Sequence, residues 1–367
     1  YQVLVLPESG IVPIEVARKI LELVQEGATV IGPRFIKTPG LKNFPESEKT
    51  LREITEKLWG KTEGPVDRAV GKGRVVSGVK IAEVLKKKAI ERDFSYMNEN
   101  EIACYGTTPV KIDFIHRKEG ETDIYFIINR RNTTENIDAK FRITGKLPEF
   151  WNPVDGSSCS AKAFSISGSR TTIPMELAPY QGIFVVFRKP TSETRLDGNN
   201  YTNYEVLKTL DSSWSLHFDP KLGGPEKTII YKSLQDLTTS SVPEIKYYSG
   251  AVVYRKEFDL DKISKEKLFL DLGTVHDLAT IRLNGNDLGT VWCAPWRLDI
   301  SEYCKTKGNV LEIEVTNTWW NRLVYDASLP EKERITKTNI GFSPTSGLMP
   351  SGLIGPVTIK KEDTSKP

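Results

Sequence analysis

The sequence contains few of the side chains that most often carry chemistry at neutral pH. It has three histidines in 367 residues, His116, His217 and His276, and they lie far apart. Because no Gly-x-Ser-x-Gly motif accompanies them, the sequence does not support a serine-type catalytic triad. None of the histidines has a second ligand at metal-binding spacing, so a zinc-type site is not supported either.

Cysteine is scarce as well. The four cysteines, Cys104, Cys159, Cys293 and Cys304, show no paired metal-ligand spacing. Two interpretations stay open. The cysteines can be buried thiols without special chemistry, or Cys293 and Cys304 can form a disulfide.

The chain has neither an excess of one charge nor a long hydrophobic run. Its 51 basic and 48 acidic residues are scattered and leave a net charge of +3. Nucleic-acid binding is not supported, because it needs a concentrated basic face. No apolar run approaches the roughly 20 residues of a membrane-spanning helix, so we expect no membrane span.

The first residues form an apolar run without an initiating methionine or a basic leader. We therefore expect a fragment of a longer protein, in which case the missing signal peptide says nothing about the compartment.

Residues 1–93 alternate predicted strands and helices. Apolar periodicity predicts strands at 3–6, 28–31 and 73–77 and helices at 13–25, 48–58 and 79–89. This order is typical of a parallel sheet covered by helices, and we assign it to a small doubly wound α/β domain. The glycines at 32, 71 and 73 lack the complete spacing of a phosphate-binding loop, so we expect no nucleotide site.

Residues 94–190 consist of short predicted strands separated by turns. The strands are expected at 123–129, 139–143, 164–166, 171–177 and 182–187. This pattern is typical of a small antiparallel β-sandwich. His116 and Arg117, close to Asp113, could be catalytic in isolation or could hold a domain interface together, and both interpretations stay open.

The stretch from 273 to 326 is the most informative. Alternating apolar and polar runs flank Asn284-Gly285, a pair that tolerates the positive φ angles of a tight turn, so we predict a β-hairpin. A second pair of strands is predicted at 296–300 and 310–317, around a turn at Gly308-Asn309. We assign residues 191–360 to a second β domain and residues 361–367 to a disordered tail.

Several short motifs in this domain carry a family resemblance. They are Tyr248-Ser249-Gly250, Leu283-Asn284-Gly285, Pro295-Trp296-Arg297 and Asp299-Ile300. Their order resembles the galactose-binding-like jelly roll of glycoside hydrolases. The run Val315-Thr316-Asn317-Thr318-Trp319-Trp320-Asn321-Arg322-Leu323 is most similar to the C-terminal part of the α-L-rhamnosidases of glycoside hydrolase family 106.

The resemblance implies that the catalytic residues lie outside this chain. In that family the acid and the base belong to an upstream barrel, and no eightfold β/α pattern is found here. No two of the 48 acidic residues stand out as the carboxyl pair that a glycosidase needs. We therefore expect no catalytic residue in the chain, an upstream catalytic barrel of the same polypeptide as its partner, and a parent protein that hydrolyses rhamnose-containing polysaccharide in the periplasm or outside the cell.

Carbohydrate binding needs flat aromatic faces and polar groups for the hydroxyls. We select as candidates Trp292, Trp296, Arg297, Asn317, Trp319, Trp320, Asn321, Arg322 and His276. The tryptophans can also fill the core or a domain interface, and His276 can be structural. The loop expected at 319–322 could close one wall of the substrate pocket.

Two further readings of function stay open. The chain can be an autonomous carbohydrate-binding module, or a complete enzyme with its site between the α/β domain and the jelly roll. Jelly rolls of this kind often carry structural calcium in other proteins. No acid-rich loop marks such a site here, so we expect no cofactor and leave calcium open.

Overall fold

The structure is a computed structural model that describes residues 3–61, 63–98, 112–263 and 265–363. Cys104 lies outside the described residues. The chain divides into two units, Tyr1–Arg92 and Asp93–Pro367. The first unit is α/β and the second is built from antiparallel sheets, so the multidomain α/β plus all-β class predicted from the sequence is confirmed.

The first unit is a four-stranded sheet with three helices. Its elements are β1 (Val3–Val5), α1 (Ile14–Glu26), β2 (Thr29–Ile31), α2 (Glu46–Trp59), β3 (Val66–Val70), β4 (Gly73–Ser77) and α3 (Ile81–Lys87). The strand order is β1-β2-β4-β3, in which β1, β2 and β4 are parallel and β3 is antiparallel to β4. Strand β3 was not predicted because its three central residues are polar or small and exposed.

Helices cover both faces of this sheet. Val30 and Val75 join the core formed with α1 and α2, whereas their neighbours Ile31 and Val76 pack with Val84 of α3. Successive residues of a strand point to opposite faces, so α3 lies on the face opposite to α1 and α2.

The second unit begins with a β-sandwich, to which the described residues contribute ten strands. They are β5 (Phe94–Asn98), β6 (Ile112–Glu119), β7 (Thr122–Asn129), β8 (Glu135–Phe141), β9 (Lys146–Trp151), β10 (Ser158–Ser160), β11 (Ala163–Ser167), β12 (Arg170–Leu177), β13 (Gly182–Pro190) and β14 (Arg195–Asp197). The two sheets have the orders β10-β9-β13-β7-β6 and β14-β11-β12-β8-β5. Because β14 pairs with β11, this sandwich extends beyond the expected boundary at residue 190.

His116 lies between two carboxylates of this sandwich. Its Nδ1 is 2.7 Å from Asp93 Oδ2, and its Nε2 is 3.1 Å from Asp123 Oδ1. The imidazole also stacks on Tyr125, with the ring centroids 4.0 Å apart. These contacts give His116 a structural role in the sandwich.

The remaining elements form a second sandwich, the jelly roll. They are β15 (Tyr204–Thr209), β16 (Trp214–Phe218), β17 (Ile229–Tyr231), α4 (Pro243–Lys246), β18 (Ala251–Phe258), β19 (Leu268–Asp271), β20 (Thr274–His276), β21 (Leu278–Leu283), β22 (Asn286–Val291), β23 (Arg297–Asp299), β24 (Asn309–Thr316), α5 (Trp320–Ala327), β25 (Gly352–Gly355) and β26 (Thr358–Glu362). The sheets have the orders β15-β26-β19-β23, β17-β16-β18-β24-β21-β22 and β20-β25.

Two local predictions in the jelly roll differ in outcome. The hairpin at Asn284-Gly285 is confirmed, because β21 pairs with β22 and both turn residues have positive φ, 54° and 83°. The predicted pairing around Gly308 is wrong, because β23 pairs with β19 whereas β24 lies between β18 and β21 in the other sheet. Alternation of apolar residues shows which face of a strand is buried and leaves its partner unspecified.

Residues 361 and 362, expected to belong to a disordered tail, lie in a strand. Strand β26 extends to Glu362 and pairs with both β15 and β19, so the expected tail at 361–367 begins within a strand. Backbone pairing on both sides outweighs the charged composition of this segment. Residues 364–367 lie outside the described part of the chain.

Gly285→Ala should lower the free energy of unfolding by about 1 kcal/mol, because an L side chain disfavours this positive φ. Added Cβ atoms at Gly285 and at Gly341 both meet open space, but only Gly285 has a positive φ. Gly341→Ala is therefore the matched control and should leave stability nearly unchanged. Urea denaturation followed by tryptophan fluorescence measures both variants, and equal effects would contradict the turn-based explanation.

Candidate functional site

A cleft of about 1040 Å³ lies between the first sandwich and the jelly roll, within the second unit. Its walls come from the segments 157–159, 178–181, 200–204, 273–277 and 292–297. Four of the nine carbohydrate-binding candidates line it, namely His276, Trp292, Trp296 and Arg297. The structure brings these four side chains to one cleft, and the sequence contained no sign of the wall from the first sandwich.

One wall of the cleft is fixed by a cluster of charges around Asp271. Arg297 donates from Nε and Nη2 to Asp271 Oδ2 at 3.1 and 2.9 Å, and Lys360 Nζ lies 2.8 Å from the same oxygen. The other carboxylate oxygen accepts the backbone N–H of Gly273 at 3.0 Å. The Arg297 guanidinium also lies 4.0 Å above the ring of Tyr204, a cation–π distance. Arg297 is therefore held in one position at the cleft.

Burial and pairing compete in this cluster. Burial raises the pKa of Asp271, but hydrogen bonds from Lys360, the Gly273 N–H and Arg297 outweigh it and hold the pKa below its ordinary value. Burial lowers the pKa of Arg297, but its hydrogen bond and attraction to Asp271 raise it above the ordinary value. Both groups are therefore ionised at neutral pH.

Three aromatic side chains of the cleft are exposed to solvent. Trp292 is 56% exposed and Tyr180 62%, and Tyr201 from the segment between the sandwiches is 39% exposed. Trp296 instead packs against the jelly-roll core, so its indole serves the fold as well as the cleft. Sequence reasoning missed Tyr180 and Tyr201, because they are more than 90 residues away from Trp292 and the cleft is formed by tertiary packing.

The other five candidates lie around helix α5. Asn317 donates from Nδ2 to the Tyr248 carbonyl at 2.8 Å and to Ser351 Oγ at 2.6 Å, and its Oδ1 accepts the Gly250 N–H at 2.8 Å. Its amide is therefore used within the jelly roll. This arrangement explains why Asn317 contributes to the fold and not to the cleft.

Asn321 and Arg322 are also committed to internal contacts. Asn321 exchanges two hydrogen bonds with the backbone of Met349, at 2.8 and 2.9 Å. Arg322 is buried, with Nη2 2.7 Å from Asp326 Oδ1 and its guanidinium 5.2 Å from the centroid of the Tyr325 ring. The loop expected at 319–322 is in fact the first turn of α5, which begins at Trp320. These polar groups hold the following segment against the helix.

Trp319 and Trp320 remain partly accessible, at 46% and 37% exposure. Trp320 donates its indole N–H to the Gly347 carbonyl at 2.8 Å and makes an edge contact with Phe342, with the ring centroids 5.4 Å apart. Trp319 makes no side-chain hydrogen bond or ring contact among the residues that the structure describes.

The cysteines do not form the disulfide that was left open. Cys293 and Cys304 are both free thiols, and Cys304 lies in the jelly-roll core. Cys159 is exposed, which corrects its interpretation as a buried thiol. Among the described residues, no three His, Cys, Asp or Glu side chains come together as a metal site. In the same part of the chain, every helix is too short or too polar to span a membrane.

Comparisons with known proteins agree with this architecture. Residues 1–165 match the family model of glycoside hydrolase family 106, described as α-L-rhamnosidase. Residues 233–345 match the model of the galactose-binding-like domain of glycosyl hydrolase family 2. The chain resembles the family 106 α-L-rhamnosidases. The second match confirms a galactose-binding-like domain within the jelly roll.

Two longer proteins are similar to almost the whole of this chain. The structure of a rhamnosidase from Novosphingobium sp. PP1Y is 36% identical with a TM-score of 0.72, over 99% of this chain and 34% of its own length. A Formosa agariphila protein that carries the name of a β-glucuronidase is 22% identical over 90% of this chain and 46% of its own length. The chain thus spans less than half the length of either relative.

Asp271→Asn should destabilise the jelly roll by about 3 kcal/mol at neutral pH, because it leaves two largely buried cations without a counter-charge. Since the pKa of Asp271 is lowered in the folded state, its contribution is present above its unfolded pKa of about 3.9 and is lost as the pH falls through the folded pKa. The stability difference between the wild type and the variant should therefore shrink below about pH 4.

Denaturant titrations at several pH values measure this difference. The exposed Asp261 of the jelly roll provides the control, and Asp261→Asn should have little effect at any pH. A difference between wild type and Asp271→Asn that stays constant down to pH 2 would contradict the electrostatic explanation.

Proposed function

We propose that this chain is the non-catalytic C-terminal region of a glycoside hydrolase related to the α-L-rhamnosidases, and that its cleft binds carbohydrate. The observation that carries the proposal is an exposed indole, Trp292, in the same cleft as a fixed guanidinium, Arg297. An aromatic face suits the apolar side of a sugar ring, and fixed polar groups suit its hydroxyls.

The chemistry of the cleft favours a sugar over an apolar ligand. Trp292 forms no hydrogen bond through its indole N–H within the described residues, so the ring and the N–H are both available. His276 and the exposed Asp277 add a ring and a carboxylate at the same wall. Aromatic, cationic and anionic groups together provide stacking, donors and acceptors in one place.

The accessory role is supported by the extent of the resemblance. The likeness to the Novosphingobium rhamnosidase covers almost all of this chain but only 34% of that protein. We assign the catalytic barrel to an upstream part of the same polypeptide. We propose that its substrate is rhamnose-containing polysaccharide in the periplasm or outside the cell. No cofactor enters this proposal.

A second candidate function is an autonomous carbohydrate-binding module. It is favoured by one observation: all the described residues that line the cleft belong to the second unit. The two candidates share the binding site. They differ in whether the cleft works together with a barrel of the same polypeptide.

Trp292→Ala should weaken binding of a rhamnose-containing oligosaccharide by about tenfold, or about 1.4 kcal/mol, because it removes the exposed stacking face. Isothermal titration calorimetry of the purified chain measures the affinity. Tyr303 is an exposed aromatic residue of the jelly roll outside the cleft, so Tyr303→Ala should bind like the wild type. Absence of binding by the wild type to any such glycan would reject the binding site and leave a scaffold role.

The purified chain should not hydrolyse an aryl α-L-rhamnoside, since we place the acid and base residues outside it. Release of the aryl group is followed by absorbance against a blank without protein. Turnover that copurifies with the chain would overturn the non-catalytic assignment and identify a complete enzyme.

A further inference from the structure

We propose that the carbohydrate site continues from the cleft across Asp277 to Trp319, so that its ligand is an oligosaccharide of several residues and not a single sugar. This inference rests on the proposed function of the cleft. It adds Trp319 as a distal binding residue that determines the preferred ligand length.

Asp277 connects the two regions directly. It lines the cleft, and its backbone N–H donates to the Thr316 carbonyl at 3.0 Å. Its carboxylate Oδ2 accepts the backbone N–H of Thr318 at 3.2 Å. Trp319 directly follows Thr318 in the chain. Its Cα therefore lies about 3.8 Å from the Cα of a residue that is hydrogen-bonded to the cleft wall.

Strand order places Asp277 between the two most exposed tryptophans, Trp292 and Trp319. Strand β21, which begins just after Asp277, lies between β22 and β24 in the sheet. Trp292 follows the last residue of β22, whereas Trp319 lies shortly after the end of β24. Ala279 pairs with Val291 on one side and with Val315 on the other, so these ends lie at the same edge of the sheet.

Trp319 differs from most tryptophans of the chain in its hydrogen bonding. The indole N–H groups of Trp59, Trp151, Trp214 and Trp320 all donate to protein oxygen atoms. Within the described residues, Trp292, Trp296 and Trp319 have no such acceptor, and of these three Trp296 packs against the jelly-roll core whereas Trp292 and Trp319 are the two most exposed tryptophans of the chain. An indole that is half exposed and unpaired can offer both its face and its N–H to a ligand.

The backbone of Trp319 is well supported. Its carbonyl accepts the Leu323 N–H at 3.0 Å, the first hydrogen bond of α5. The next two residues, Trp320 and Asn321, are tied to Gly347 and Met349. Trp319 thus has an anchored backbone, which lowers the entropy cost of binding.

The size of the cleft agrees with a longer ligand. Its volume of about 1040 Å³ lies just above the roughly 300–1000 Å³ that is usual for small-molecule sites. A single sugar leaves much of that space filled by water. A chain of sugars that leaves the cleft past Asp277 would run towards the end of β24, where Trp319 lies.

The test compares affinity against ligand length. Isothermal titration calorimetry is performed with rhamnose and with rhamnose-containing oligosaccharides of increasing length, for the wild type, Trp292→Ala, Trp319→Ala and Trp319→Phe. Ile340 is exposed on the segment that follows α5, and Ile340→Ala is the matched control. Circular dichroism and thermal melting check that each variant is folded.

We expect wild-type affinity to rise by about tenfold or more with ligand length. Trp319→Ala should abolish this rise and leave the affinity for rhamnose within about twofold. Trp319→Phe should retain most of the rise, and Trp292→Ala should weaken every ligand.

Four results would overturn the inference. Affinity independent of length, or a Trp319→Ala variant with the wild-type length dependence, would reject the extended site while the cleft still binds sugar. Equal weakening of rhamnose and long ligands by Trp319→Ala would instead mean that one sugar contacts both indoles. If the wild type binds none of the ligands, the proposed function fails and the extension fails with it.

Discussion

A single carboxylate, Asp271, determines how the jelly roll presents its polar groups to the cleft. It lies on β19 and pairs with cations from the two neighbouring strands, Arg297 on β23 and Lys360 on β26. Taking charges out of water is costly, and the cost is compensated only when partners and hydrogen bonds are in place. Here both oxygens are occupied, so the guanidinium keeps one position above Tyr204. The polar geometry of the proposed sugar site therefore follows from a pairing that also joins three strands.

Local backbone chemistry explains what could be predicted from the sequence. Asn284-Gly285 requires nothing beyond its own two residues to favour positive φ, so the hairpin was predictable. The alternation in β24 likewise shows its buried side, and Leu311 and Ile313 are indeed in the core. The partners of β23 and β24 depend on which sheet each strand joins, and that choice is made by long-range packing that a local pattern does not contain.

The absence of long-range packing information in a local pattern also explains which candidate site residues were predicted wrongly or missed. Proximity in sequence suggested that Asn321 and Arg322 bind sugar beside Trp319, yet their polar atoms meet Met349 and Asp326. The second of these contacts was readable, because Arg322 and Asp326 are four residues apart and face each other once the segment is a helix. Because the segment from 319 to 322 was predicted to be a loop, the ion pair between Arg322 and Asp326 was not predicted. Tyr180 gave no comparable signal, since only the packing of two sandwiches brings it to Trp292.

If the cleft binds glycan as proposed, its place in this region has a consequence for the proposed parent hydrolase. A site that holds polysaccharide on the same polypeptide as a barrel raises the effective concentration of glycosidic bonds near the barrel, without any new contact to the bond that is cleaved. This gain in effective concentration depends on how the glycan leaves the cleft, because one glycan must reach the cleft and the barrel at the same time. An exit past Asp277 towards Trp319 would give the glycan a direction along the end of β24. Trp319 would then contact the part of the polymer that leaves the cleft, and Arg297 would contact the sugar held within the cleft.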